Sequence, residues 1–180
     1  IFTKEFGLKS YAVKGIKNKK SKNKLGLLKP LNLIQIEVTN NPKQNIQYIK
    51  EIRISEVFPD YLINMKKQFL SMFISEILMK VLVESETSIN LYQFIENTAK
   101  NINTLENINK NFPIIFLIKL TSHLGFFPSN SNENLEYFDL ENGCFTNNPS
   151  YFNISGENKD YLVSLLNDED ITIPILNRQE

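Results

Sequence analysis

Six lysines within eleven residues, Lys14, Lys17, Lys19, Lys20, Lys22 and Lys24, are the groups in this sequence best suited to a defined chemistry. Like charges this close repel one another, most strongly at low salt. A phosphate backbone relieves that repulsion and gains entropy by releasing its own counterions. Lys9 lies just ahead of the run, and Phe6 and Tyr11 beside it offer aromatic faces on which bases can stack. Two plainer readings stay open. The run serves as a solvated loop that keeps a sheet edge from aggregating, and the two aromatics belong to a core.

The formal net charge of zero hides a strong polarity. Residues 1–29 hold nine Lys and one acid, whereas residues 133–180 hold two bases and ten acids. Such asymmetry points to an anionic partner for the basic end. The other reactive groups are sparse. His123 is the one histidine, and Cys144 the one cysteine. A metal needs more ligands than these two, so His123 is expected near the negative end of a helix dipole and Cys144 in a small apolar role. Asp139 and Glu141 are expected on one face of a strand, and Asp168, Glu169 and Asp170 in a solvated tail. No phosphate-cradling, dinucleotide, zinc-protease or nucleophile-elbow pattern occurs. Nothing favours an enzyme, and no cofactor or metal is expected.

A single thiol excludes a disulfide framework within the chain and fits a reducing cytosol. The longest apolar runs, such as residues 114–118, are far shorter than the about 20 residues of a membrane span. Apolar residues make up 42% of the 180, enough for a core. Asn is frequent, at 24 residues, and receives no functional weight.

The elements that must carry the lysines read as β-structure. Residues 6–15, 31–38 and 46–54 each alternate with period two, and Asn40, Asn41 and Pro42 mark a turn. A meander of antiparallel strands is expected, with the lysine run between the first two and a short helical turn over residues 25–28. After Pro59 the period becomes helical. Residues 61–83 carry Met65, Phe69, Met72, Phe73, Ile77, Met79 and Leu82, the pattern of a long helix with a wide buried face. Ser88 is expected to cap a second helix bearing Leu91, Phe94, Ile95, Ala99 and Ile102. Pro113 opens a third, apolar on nearly all sides, which Gly125 ends; it is expected at the centre of a helical domain. Asn142-Gly143 between short apolar segments signals a hairpin, and Ser155 is expected to cap a last helix.

Five segments then resemble one family in order. Phe2-Thr-Lys-Glu-Phe-Gly7 is similar to its F-T-x-E-x-G strand; Lys14-Gly15 to its K-G; Leu28-Lys-Pro30, after a basic stretch, to its L-x-P. Gly125-Phe-Phe-Pro128 and Phe138-Asp-Leu-Glu-Asn-Gly-Cys-Phe145 resemble its G-F-x-P and F-D-L-x-x-G-x-F segments. The family is that of the RecO recombination-repair proteins. The resemblance implies an α+β chain: an OB-fold β-barrel over residues 1–57, short of a strand that would precede Ile1, and an α-helical domain with a small β-hairpin over residues 58–180. It implies single- and double-stranded DNA as ligands, strand annealing, and work with RecR in helping RecA replace the single-strand-binding protein SSB, whose acidic tail docks on the helical domain. Lys14 matches the K-G position, and the later lysines match the basic loop as a region. Some members carry four cysteines for zinc; here Cys144 stands alone in that region, so zinc is not expected.

The expectation is a cytoplasmic, non-enzymatic DNA-binding mediator, in the bacterial nucleoid and not in a membrane, with phosphates held by Lys9, Lys14, Lys17, Lys19, Lys20, Lys22 and Lys24. Two alternatives remain: a helical protein-interaction adaptor, and an RNA-binding OB-fold protein.

Overall fold

The computed structural model describes residues 1–13, 26–41, 43–57, 64–83, 86–129 and 131–167. They form a mixed α+β chain that divides into two compact units, Ile1–Ile108 and Asn109–Glu180.

In the first unit, β1 (Phe2–Thr3) pairs antiparallel with β2 (Gly7–Leu8). Strands β3 (Ser10–Val13), β4 (Ile34–Thr39) and β5 (Ile46–Ile54) form a sheet in the order β3-β5-β4. The expected strands are present, but the antiparallel meander is not: β3 runs parallel to β5, with Ser10 opposite Ile46 and Val13 opposite Ile49. A parallel pair needs a long connection, and the stretch between Val13 and Ile46, which includes β4, supplies it. The alternation expected through residues 46–54 also breaks. Gln47, Ile49 and Ile52 are buried, because the register with β4 slips where Glu37 faces Glu51 and Val38 faces Ile49. Lys50 is the extra residue of this bulge. Gln47 is buried without cost because its amide is fully used. It accepts from the Asn41 N–H (2.8 Å) and donates to the carbonyls of Asn41 (3.0 Å) and Gln44 (2.6 Å), tying down the β4–β5 connection.

Two helices complete this unit. α1 (Met65–Val81) starts at Asn64, whose side chain accepts from the N–H groups of Lys66 and Lys67. α2 (Ile89–Thr104) starts at Ser88, which accepts from Leu91 N as its type predicts. α1 faces inward differently from expectation. Met65, Phe69, Met72, Phe73 and Met79 are exposed, and the buried stripe is Lys67, Leu70, Ser71, Ile74 and Leu78. A helix apolar on several sides has no single face in its own sequence. Here the buried stripe carries a lysine. Lys67 is 1% exposed, and its ammonium donates to the Asn103 carbonyl at 2.7 Å, one of the acceptors left open in the last turn of α2.

Gly7 joins the β1–β2 hairpin to the connection between the two helices. Its φ is +62°, and a Cβ there would overlap the Glu86 carbonyl oxygen. The glycine of the F-T-x-E-x-G segment is therefore required twice, for its backbone conformation and for the approach of another backbone.

The second unit holds α3 (Phe112–His123), β6 (Tyr137–Asp139), β7 (Cys144–Thr146), β8 (Asn153–Ser155) and α4 (Gly156–Asn167). Pro113 stands in the first turn of α3, and Gly125, with φ +84°, follows its end. Ile115 and Ile118 of α3 pack with Leu165 of α4. The expected hairpin is β6–β7, with Phe138 opposite Phe145 and their rings 4.9 Å apart edge-to-face. The sequence did not reveal β8, which pairs with the other edge of β6. Ser155 ends that strand, and α4 begins at the next residue. Asp139 and Glu141 do not share a strand face. Asp139 closes β6 and its carboxylate accepts from the N–H of Glu141 (2.8 Å) and of Asn142 (3.1 Å) and from the Asn142 amide (2.8 Å). It is a turn residue of the Asx type.

Three outcomes follow. Gly7→Ala is expected to cost about 2–4 kcal/mol in thermal or urea unfolding, well above a surface substitution. Lys67→Ala is expected to cost a similar amount, whereas Lys67→Met, which keeps the stem and removes the charge, loses less. The bonds from Asn142 hold the Asp139 carboxyl below its ordinary range. A lowered folded-state value means that the stabilisation is complete above the unfolded value, about pH 4, and is lost as pH falls through the folded one. Acid titration of unfolding is expected to show that loss in the native chain and a flatter acid limb in Asp139→Asn.

Candidate nucleic-acid interface

The β1–β2 hairpin aims the first cation. Thr3 Oγ1 accepts from Phe6 N at 3.1 Å and donates to Gly7 O at 3.1 Å, closing the turn. Backbone bonds between Ile1 and Lys9 in both directions extend the pairing. Lys9 is thereby brought back over the turn, with its Nζ 5.1 Å from the centroid of the Phe6 ring. Phe6 is 37% exposed, so the pair forms a cationic aromatic surface facing solvent. The other aromatic singled out, Tyr11, lines with Phe6 a cavity of about 670 Å³ within the first unit, whose wall also includes Leu8, Ile34, Ile36, Leu78 and Ile95. Burial raises the Tyr11 hydroxyl's pKa, and a hydrogen bond with Thr3 partly opposes the rise. The structure thus keeps Lys9 and Phe6 together and places Phe6 and Tyr11 on the wall of one cavity. Lys14, Lys17, Lys19, Lys20, Lys22 and Lys24 lie outside the described residues, as do Asp168, Glu169 and Asp170.

The sequence reading missed a second surface. The outward side of β5 shows Ile46, Tyr48 and Lys50, with Tyr48 42% exposed. Tyr48 stands opposite Ala12 of β3 and Thr39 of β4. Lys50 Nζ is 3.9 Å from the Glu37 carboxylate, an exposed pair of little energetic weight. Period-two alternation placed Tyr48 and Lys50 on one face, but without the burial of Gln47 and Ile49 nothing told which face was outward. At the end of β5, Lys100 of α2 reaches Glu56 (2.9 Å) and Glu96 (3.0 Å). These two carboxylates raise the Lys100 pKa, that of Glu56 first.

His123 lies in the last turn of α3, and burial lowers its pKa. Cys144 is half-buried in β7, less enclosed than expected. Among the described residues no three His, Cys, Asp or Glu side chains converge, and no helix is long and apolar enough to cross a membrane. Ser129, the residue after the G-F-x-P segment, donates its N–H to Gly143 O of the F-D-L-x-x-G-x-F segment at 2.9 Å.

Two family models match in order: Recombination protein O N terminal over residues 1–58, and Recombination protein O C terminal over residues 64–162. The DNA repair protein RecO of Azobacteroides pseudotrichonymphae is 32% identical over 146 residues, covering 81% of this chain and 61% of that protein. The RecO of Flavobacterium johnsoniae gives the same identity and coverage. That of Christiangramia forsetii is 29% identical over 167 residues, 92% of this chain and 70% of its own. The chain thus spans about three-fifths of the length of the first two relatives. Matches to both halves of one family, in sequence order, and the identity to its curated relatives agree: this chain belongs to the Recombination protein O (RecO) family.

Proposed function

We propose that this chain serves DNA repair by recombination as a non-enzymatic, DNA-binding mediator. The observation that carries this reading is the ordered match of both its halves to one recombination family. We read residues 1–57 as an OB-type nucleic-acid domain and residues 58–180 as a helical domain. The family matches, ending at 58 and resuming at 64, support that division. The short, bulged, mixed sheet β3-β5-β4 beside an apolar cavity is compatible with a barrel of this type. In this reading Lys9, Lys14, Lys17, Lys19, Lys20, Lys22 and Lys24 hold phosphates of single- or double-stranded DNA. Phe6 and Tyr48 stack on bases. RecR, the SSB tail and, indirectly, RecA are the protein partners, and the setting is the cytoplasm.

Binding driven by phosphate contacts must weaken with salt. Seven neutralised phosphates on a single strand predict a log–log slope of roughly −5. Replacing Lys17, Lys19, Lys20 and Lys22 with Ala is expected to reduce the slope to about −2, with little change in melting temperature. Tyr48→Ala is expected to weaken binding of a short single strand by about ten-fold at constant slope, because stacking releases no counterions. Fluorescence anisotropy with a labelled oligonucleotide measures both. A salt-independent curve, or no binding at low salt, would refute the reading. Tighter binding of structured RNA than of single-stranded DNA would favour the RNA-binding alternative.

A further inference from the structure

The loop between β7 and β8 holds two aromatic side chains away from the core of the second unit. Tyr151 is 94% exposed, and Phe152 and Leu140 are exposed beside it. The rings of Tyr151 and Phe152 meet edge-to-face with centroids 5.4 Å apart. Leu140 N donates to Phe152 O at 3.1 Å, which brings the β6–β7 turn against the same tip.

This tip is built rigidly. Ser150 Oγ accepts from Phe152 N (3.3 Å) and donates to Asn153 Oδ1 (2.7 Å). Asn153 Nδ2 donates to Asn148 O (2.7 Å), and Asn153 N to Ser150 O (3.3 Å). Asn148 N in turn donates to Thr146 Oγ1 (3.0 Å). Five residues thus spend their polar groups on fixing a turn whose outward product is two rings in water. Aromatic groups held on a fixed backbone give up little entropy on docking, and they dominate the energetics of protein interfaces.

Charge selects the partner. Asp139 and Glu141 flank Leu140, and Asp139 stands opposite Asn153 in the β6–β8 pairing. The only described base from residue 133 to 167 is Lys159, whose ammonium is engaged by the carbonyls of Glu133 (3.1 Å) and Leu135 (2.9 Å). Carboxylates beside the rings repel phosphates, so a nucleic acid is disfavoured here.

We propose that the tip formed by Tyr151, Phe152 and Leu140 is a docking site for a partner protein that presents an apolar pocket rimmed by Lys or Arg. This surface is independent of the DNA-binding reading and lies at the acidic end of the chain.

The test uses the full chain and a fluorescein-labelled amphipathic peptide of leucine and lysine, with an all-lysine peptide of equal charge as control. The Leu/Lys peptide is expected to bind the native chain. It should bind the double variant Tyr151→Ser, Phe152→Ser about ten-fold more weakly or less, and Glu141→Lys more weakly than native. The substituted aromatics are exposed, so circular dichroism should show both variants folded. Equal binding of the all-lysine peptide, or unchanged binding by the double variant, overturns the proposal. So does quenching of the tip's tyrosine fluorescence by single-stranded DNA that Tyr151→Phe abolishes. A native dimer in sedimentation velocity that the double variant dissociates assigns the tip to a second copy and overturns it equally.

Discussion

Everything that aims the amino-terminal surface depends on one close approach, that of the Gly7 backbone to the Glu86 carbonyl. The β1–β2 hairpin has only two residue pairs, and a ribbon this short is not stable alone. It holds its shape because it rests against the connection between α1 and α2, where no side chain fits. Thr3 closes the turn, Lys9 returns over Phe6, and a cation and a ring are presented together. The glycine is thus a positioning element, acting on the candidate interface through packing alone.

The helical pair behind this hairpin shows how a polar group can specify an interface. Lys67 and Ser71 lie one turn apart on the buried stripe of α1, and Lys67 meets the open carbonyl of Asn103 at the end of α2. An ammonium among apolar residues tolerates few alternative registers, since its donors must find acceptors. Leu70, Ile74 and Leu78 supply area on the same stripe and would pack in several ways.

The two units divide the chemistry by charge. Cations and the candidate stacking rings lie in the first, while the second carries carboxylates around an exposed aromatic tip. The separation follows the sequence, with its basic start and acidic end.

Much of this was legible in the residues. Period-two runs located β4 and β5, Ser88 and Pro113 marked helix starts, Asn142-Gly143 marked the hairpin, and five short segments in order carried the family. These signals are local: each depends on a dihedral preference or a hydrogen bond within a few residues. What the sequence left open was every choice made by distant neighbours. The parallel pairing of β3 with β5, the bulge at Lys50, the outward turn of Tyr48 and the inward turn of Lys67 each depend on which surface arrives opposite. A side chain's own type does not encode its partner, so only the assembled chain decides which of two apolar faces is hidden from water.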